Sequence, residues 1–195
     1  MISFSFKNIK VCLHFSFFAA VTLLILCSGN PLSVYSFYAC LIHETGHLVM
    51  MFLMGQRVKR LVFYGAGIKI VPCRSCEAED FTAETAVLSA GCVLNFFIYG
   101  FSMLLKEELT AFGAVNLAIG LFNMMPMSFL DGGKILIQCF YRFFSFENAV
   151  RLEKLLKGVN VITVPAAAII MYIAGVRNFT IYVTLIFLMF SSVMM

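Results

Sequence analysis

Long apolar runs, separated by short loops that hold nearly all of the charge, do most to limit the folds open to this chain. A helix needs about 17–25 apolar residues to cross a bilayer. Runs near that length recur at about 11–27, 34–54, 84–105, 159–174 and 179–195, and one more is broken into 111–122 and 131–144 around Pro126, Gly132 and Gly133. Only 12% of the 195 residues are charged, about half of what a soluble domain carries. A water-soluble fold of this size cannot hide the 62% that are hydrophobic, so the solvent has to be lipid. The fold class read from this pattern is an all-α polytopic membrane protein. It is one integral-membrane domain over 1–195 with about six transmembrane helices.

The loops support that count. Lys7, Lys10, Arg57, Lys59, Arg60, Lys69, Arg74, Arg142, Arg151, Lys154 and Lys157 fall on one side of a six-span arrangement, and Lys106 and Arg177 on the other. Basic loops stay cytoplasmic, which puts both termini in the cytoplasm of a multi-pass protein. Lys7 and Lys10 ahead of an apolar run also suit a signal peptide, but no small-x-small cleavage site follows Cys27, which favours an uncleaved span. The net charge of +4 is scattered over these loops and forms no phosphate-binding face, so no nucleic-acid partner is expected. Residues 57–71 place β-branched and aromatic residues around Gly65-Ala66-Gly67, which predicts a short membrane-associated β-hairpin. Residues 146–157 carry Ala149, Leu152 and Leu156 on one helical face and predict a helix lying on the membrane surface. The seven cysteines are odd in number and mostly inside apolar runs, which gives no disulfide framework. A lone Cys73-x-x-Cys76 in a cytoplasmic loop is half of a metal or redox motif at most.

The second span contains His43-Glu44-Thr45-Gly46-His47. Positions four apart on a helix share a face one turn apart, so both imidazoles can reach one Zn²⁺ ion at about 2.0–2.1 Å. Glu44, beside the first ligand, is placed to act as general base on a water at the metal. Ionisable groups inside a membrane span are costly and mostly functional, and this span carries three within five residues.

Catalytic zinc takes three protein ligands and keeps one position open. Asp131, in the broken stretch Asn123-Met124-Met125-Pro126-Met127-Ser128-Phe129-Leu130-Asp131-Gly132-Gly133, is the candidate third ligand, against the alternative that it only caps the half-helix after it. Irregular backbone at membrane depth needs protein or a water-filled cavity around it. His47 lies ten residues before Arg57 and Asp131 eleven before Arg142, which sets both about 15 Å inside the same membrane face.

HETGH in one span, AGCVLNFF at 90–97 in the next and FNMMPMSFLDGG at 122–133 in the one after resemble the site-2 protease family of intramembrane zinc metalloproteases. With the hairpin, the resemblance covers a three-helix catalytic core at about 34–144. Six spans without an inserted PDZ domain look most like the sporulation stage IV FB branch, which processes a membrane-tethered pro-sigma factor. The resemblance implies zinc on His43, His47 and Asp131, with Glu44 as catalytic acid/base. It also implies Asn95 as a catalytic amide near the scissile carbonyl, and Asn123 and Pro126 as substrate-binding residues. The partners it implies are a membrane-embedded or membrane-tethered protein substrate of the pro-sigma or anti-sigma kind, the lipid bilayer and a regulatory membrane partner. For Asn95 the residues alone leave a second reading, an interhelical hydrogen bond. For the whole chain they leave a catalytically inactive membrane binding protein, or a metal-handling transporter with the same three ligands along an ion path.

Overall fold

Alternating Ser3, Ser5 and Lys10 with Ile2, Phe4, Val11 and Leu13 puts the first residues in strands rather than in a helix. The computed structural model describes residues 2–6, 9–15, 17, 19, 22, 31–56, 58–64, 67–72, 80–106 and 110–175. The chain divides into two compact units, Met1–Phe122 and Asn123–Met195.

In the first unit β1 (Ile2–Phe6) and β2 (Ile9–Leu13) form an antiparallel pair, as do β3 (Val58–Tyr64) and β4 (Gly67–Pro72). β2 and β3 lie side by side in parallel, with Lys10 opposite Arg60 and Leu13 opposite Phe63, so the sheet runs β1-β2-β3-β4. The hairpin expected at 57–71 is therefore present, but as half of a four-stranded mixed sheet. The expected first crossing at 11–27 begins wrongly: Val11, Cys12 and Leu13 belong to β2, whose backbone groups pair on both sides. Residues 23–30, like Cys73 and Cys76, lie outside the described residues.

α1 (Pro31–Leu53) follows. It opens on a proline, whose fixed φ and missing N–H suit a first helical position, and its 23 residues span roughly 34 Å at 1.5 Å each. Gly55, at φ 69°, ends it: Gln56 N–H donates to the Met51 carbonyl at 2.9 Å and Gly55 N–H to that of Phe52 at 3.1 Å. That is the two-bond left-handed stop glycine favours. α2 (Phe81–Lys106) packs against α1 through small residues. Ala39, Gly46, Ala90 and Gly91 are all buried, and small side chains are what let helix backbones approach in lipid. A Cβ on Gly46 would lie 2.6 Å from the Ala90 carbonyl oxygen and 2.9 Å from the Gly91 Cα. α3 (Ala111–Asn123) completes this unit up to Phe122.

The second unit holds α4 (Asp131–Phe143) and α5 (Phe146–Ile173), two packed helices. Tyr141 Oη donates to Glu153 at 2.6 Å and Lys157 Nζ meets the same carboxylate at 2.8 Å, a clasp on an exposed face that adds little stability. The surface helix expected at 146–157 and the span expected at 159–174 are one continuous helix, α5, which runs through Pro165 without a break. The interruption of the fourth crossing is present: α3 stops at Asn123 and α4 starts at Asp131.

Among the described residues two helices, Phe81–Leu105 and Phe146–Ile173, are long and apolar enough to cross a membrane, and α3 is a shorter apolar helix. The described residues do not establish six crossings, and 179–195 lies outside them. Phe52, Leu104, Phe146 and Ile173 are each at least 75% exposed, an apolar surface of the kind that lipid or a partner covers.

Replacing Gly46 with Ala is expected to lower unfolding stability in detergent by about 1–3 kcal/mol, because backbone atoms must separate. Gly158 sits in α5 with open space around it, and the same change there should be neutral or stabilising by up to about 1 kcal/mol. Thermal unfolding of the two variants checks this, and equal melting would rule out the close approach.

Candidate metal centre

The Gly46–Ala90 contact turns one face of α1 squarely onto α2, and His43 and His47 lie on that face at 5% and 8% exposure. Gly91 sits beneath both rings: a Cβ there would be 2.6 Å from His47 Nε2 and 2.7 Å from His43 Cε1. The rings stand at 87° to each other with centroids 4.7 Å apart.

Each imidazole is held from behind. His43 Nδ1 lies 3.0 Å from Asn95 Oδ1, and His47 Nδ1 lies 2.7 Å from the Val87 carbonyl oxygen. Both oxygens accept, so both Nδ1 atoms carry the proton, and each Nε2 presents a lone pair. The two Nε2 atoms are 3.1 Å apart. Lone pairs that converge so closely repel unless a cation or a proton lies between them, and a tetrahedral zinc with its ligand nitrogens at about 2.0–2.1 Å brings such nitrogens to nearly this separation. The donor set therefore fits a metal ion, in the arrangement where the second ring nitrogen fixes the tautomer. Glu44 is half-buried on the same helix, one residue from His43. Thr45 is exposed and its hydroxyl turns back to the Leu41 carbonyl at 2.7 Å, away from the pair.

Asn95 is fully buried, and its amide is committed in every direction. Its Oδ1 accepts from His43, while Nδ2 donates to the Ala39 carbonyl at 3.2 Å and to Asn116 Oδ1 at 3.0 Å. With both amide hydrogens used, this side chain has none to offer an oxyanion. It stands behind His43 instead. The interhelical hydrogen bond that the residues left open is present, and one of its ends is a metal-ligand candidate. Asn116, also fully buried, donates to the Phe112 carbonyl at 2.9 Å. The sequence reading missed Asn116, although an amide in the middle of the apolar half-helix Ala111–Asn123 was a usable signal.

Asp131, Asn123 and Pro126 belong to the second unit. Asp131 is 7% exposed and is the first residue of α4. The N-cap position is held by Leu130, which makes no side-chain cap bond, and Asp131 stands one residue inside the helix. Lys134 Nζ lies 3.3 Å from Asp131 Oδ1. The chain between the half-helices folds back on itself, with Leu130 N–H donating to the Met127 carbonyl at 2.8 Å. Gly132 and Gly133 pass so close to the Met124 and Met127 carbonyls that neither site has space for a Cβ. Pro126 is exposed and Asn123 half-exposed, while Ser128 is buried with its hydroxyl unpartnered.

No protein-family model matches the sequence. Stage IV sporulation protein FB of Bacillus subtilis (strain 168) is 29% identical over 122 residues, a stretch covering 58% of this chain and 41% of that protein. The chain thus matches less than half of that relative's length. A solved structure, the site-2 protease from Methanocaldococcus jannaschii, superposes with a TM-score of 0.69 at 17% identity, covering 98% of this chain and 93% of that one. The resemblance to the site-2 protease family carried by the motifs is thus present in sequence and in fold.

Gly91→Ala is expected to leave α1 and α2 folded, since a methyl group there meets ring atoms rather than backbone. It should push the Nε2 pair apart and lower cobalt(II) affinity at least about tenfold, the scale on which disturbed metal-ligand orientation acts. Absorption titration of the purified protein in detergent measures this, and unchanged affinity would exclude the contact.

Proposed function

We propose that this chain is an intramembrane zinc metalloendopeptidase that hydrolyses peptide bonds of membrane-embedded or membrane-tethered proteins. The observation that carries the reading is the pair of buried imidazoles one turn apart, each fixed through Nδ1, with Nε2 atoms converging at 3.1 Å. In this reading His43, His47 and Asp131 hold the ion, a donor set suited to a metal. His₂-carboxylate with a position left open is a catalytic rather than a structural pattern for zinc. Bound zinc supplies Lewis acidity to a water and to the scissile carbonyl.

The chain's own residues do the rest. His43 and His47 turn Nε2 toward the ion because Nδ1 of each is engaged behind it, by Asn95 and by the Val87 carbonyl. Asp131 supplies the anionic donor, with Lys134 beside it to hold its orientation. Glu44 removes a proton from the attacking water and returns it to the leaving amide nitrogen. Asn95 keeps His43 in place, and Asn123 offers its amide to the carbonyl oxygen. Pro126, which lacks an N–H, keeps the segment before Asp131 out of a helix, so that backbone groups there can meet an extended peptide. A helical substrate hides its carbonyls in i→i−4 bonds and must unwind first, so substrates with helix-breaking residues are expected. β4, paired on one side only to β3 in this sheet, can take up the unwound segment by strand addition.

The sporulation relative supports a membrane-tethered substrate of the pro-sigma or anti-sigma class, cleaved under the control of a further membrane partner. The setting is a bacterial cell membrane, crossed about six times with both termini cytoplasmic.

The test is co-expression of the wild type and Glu44→Gln with tagged single-span and pro-sigma-type substrates. A fragment made by the wild type, removed by a zinc chelator and reduced about 10²–10⁴-fold by Glu44→Gln with zinc content retained is the expected result. One equivalent of zinc in both proteins with no fragment from any substrate would favour a binding or metal-handling role.

A further inference from the structure

The contacts around Asn95 form a chain whose direction is set at one end. A backbone carbonyl can only accept, so at Phe112 the Asn116 amide must present Nδ2, at 2.9 Å. Asn116 Oδ1 then faces Asn95 and can only accept, which makes Asn95 present Nδ2 to it at 3.0 Å. The Ala39 carbonyl, 3.2 Å from the same Nδ2, imposes the same orientation. Asn95 Oδ1 is thereby left toward His43, and His43 Nδ1 must carry its proton to donate across 3.0 Å. Only then is His43 Nε2 a lone pair facing His47 Nε2. Both asparagines are 0% exposed, so no water can substitute for a lost link.

We propose that Asn116 is a positioning residue for the metal centre. Without touching the metal, it fixes the Asn95 amide, and through it the ring orientation and Nδ1–H tautomer of His43. The idea rests on the metal-centre reading above and deepens it. It takes the ligand type as given and assigns what holds the ligand in its binding form. It also explains why two amides are kept fully buried between helices, since a plain packing role would be served by two leucines of similar size.

The full-length protein, purified in detergent, is prepared as wild type, Asn95→Leu, Asn116→Leu and the double Leu variant. The double variant removes both amides together and leaves no half of the pair unsatisfied, so it is the one most able to fold. Two readouts are taken. The first is cobalt(II) affinity by absorption titration. The second is nitrogen NMR of histidine-labelled, metal-free protein, readable because the chain has three histidines.

The expected result is a roughly 10–100-fold loss of cobalt affinity in Asn95→Leu and in the double variant, and a loss of about tenfold in Asn116→Leu. In the NMR, the protonated Nδ1 of His43 should be clear in wild type and partly lost in all three variants. Wild-type affinity and an unchanged His43 signal in a folded double variant would assign both asparagines to packing alone and overturn the proposal. A wild type that binds no cobalt would sink the metal-centre reading instead. In that case the His43 signal still decides the proposal, since an unprotonated Nδ1 in the wild type refutes it.

Discussion

Everything at the histidine pair depends on how closely α1 and α2 approach. At Gly46 the α1 backbone lies so near Ala90 and Gly91 that an added Cβ would come within 2.6 Å of the Ala90 carbonyl oxygen, and at Gly91 the space a Cβ would take is filled by the two imidazoles. That approach puts the Val87 carbonyl and the Asn95 amide within hydrogen-bond reach of two imidazoles on the neighbouring helix. His43, His47 and Asn95 are buried, so bulk water does not satisfy their polar atoms. The same contact that excludes bulk therefore makes the polar network obligatory, and the network in turn fixes which nitrogens face outward. Steric permission, hydrogen bonding and ligand chemistry are three descriptions of one helix crossing.

Much of this was legible in the sequence because it is local. HETGH places its two histidines by helical period alone, and Pro126 with the glycine pair announces a break that lies between Asn123 and Asp131. Glycine in α1 and α2 likewise signals close packing. The sheet was harder. The hairpin at 57–71 is a local pattern, but β2 is a strand because β1 and β3 flank it, and the β3 partner lies on the far side of α1. Read alone, Val11-Cys12-Leu13 continues smoothly into the apolar residues after it, and hydropathy cannot see the pairing. At 146–157 an amphipathic pattern suggested a helix separate from the span after it, yet no helix stop stands between them. Gly158 is tolerated inside α5, and Pro165 does not end it.

Asn95 shows a different limit. Its place in a motif indicated that it matters, and the resemblance assigned it to the substrate. The structure engages both its amide hydrogens and turns its oxygen to His43. Whether a polar residue faces the reacting bond or stands behind a ligand depends on which of its atoms are already engaged. That information is three-dimensional, as is the identity of the partner, Asn116, which no spacing rule links to Asn95.

The parallel pairing of β2 with β3 bears on how the molecule is made. Synthesis delivers the β1–β2 hairpin first, with the inner edge of β2 unmatched. Its neighbour arrives only after α1 has emerged, been placed and brought the chain back to where it left. Until then the newborn protein presents an open strand edge, and when β3 docks, that edge closes. Closure of the β2 edge thus requires the chain to have passed through the whole histidine-bearing helix.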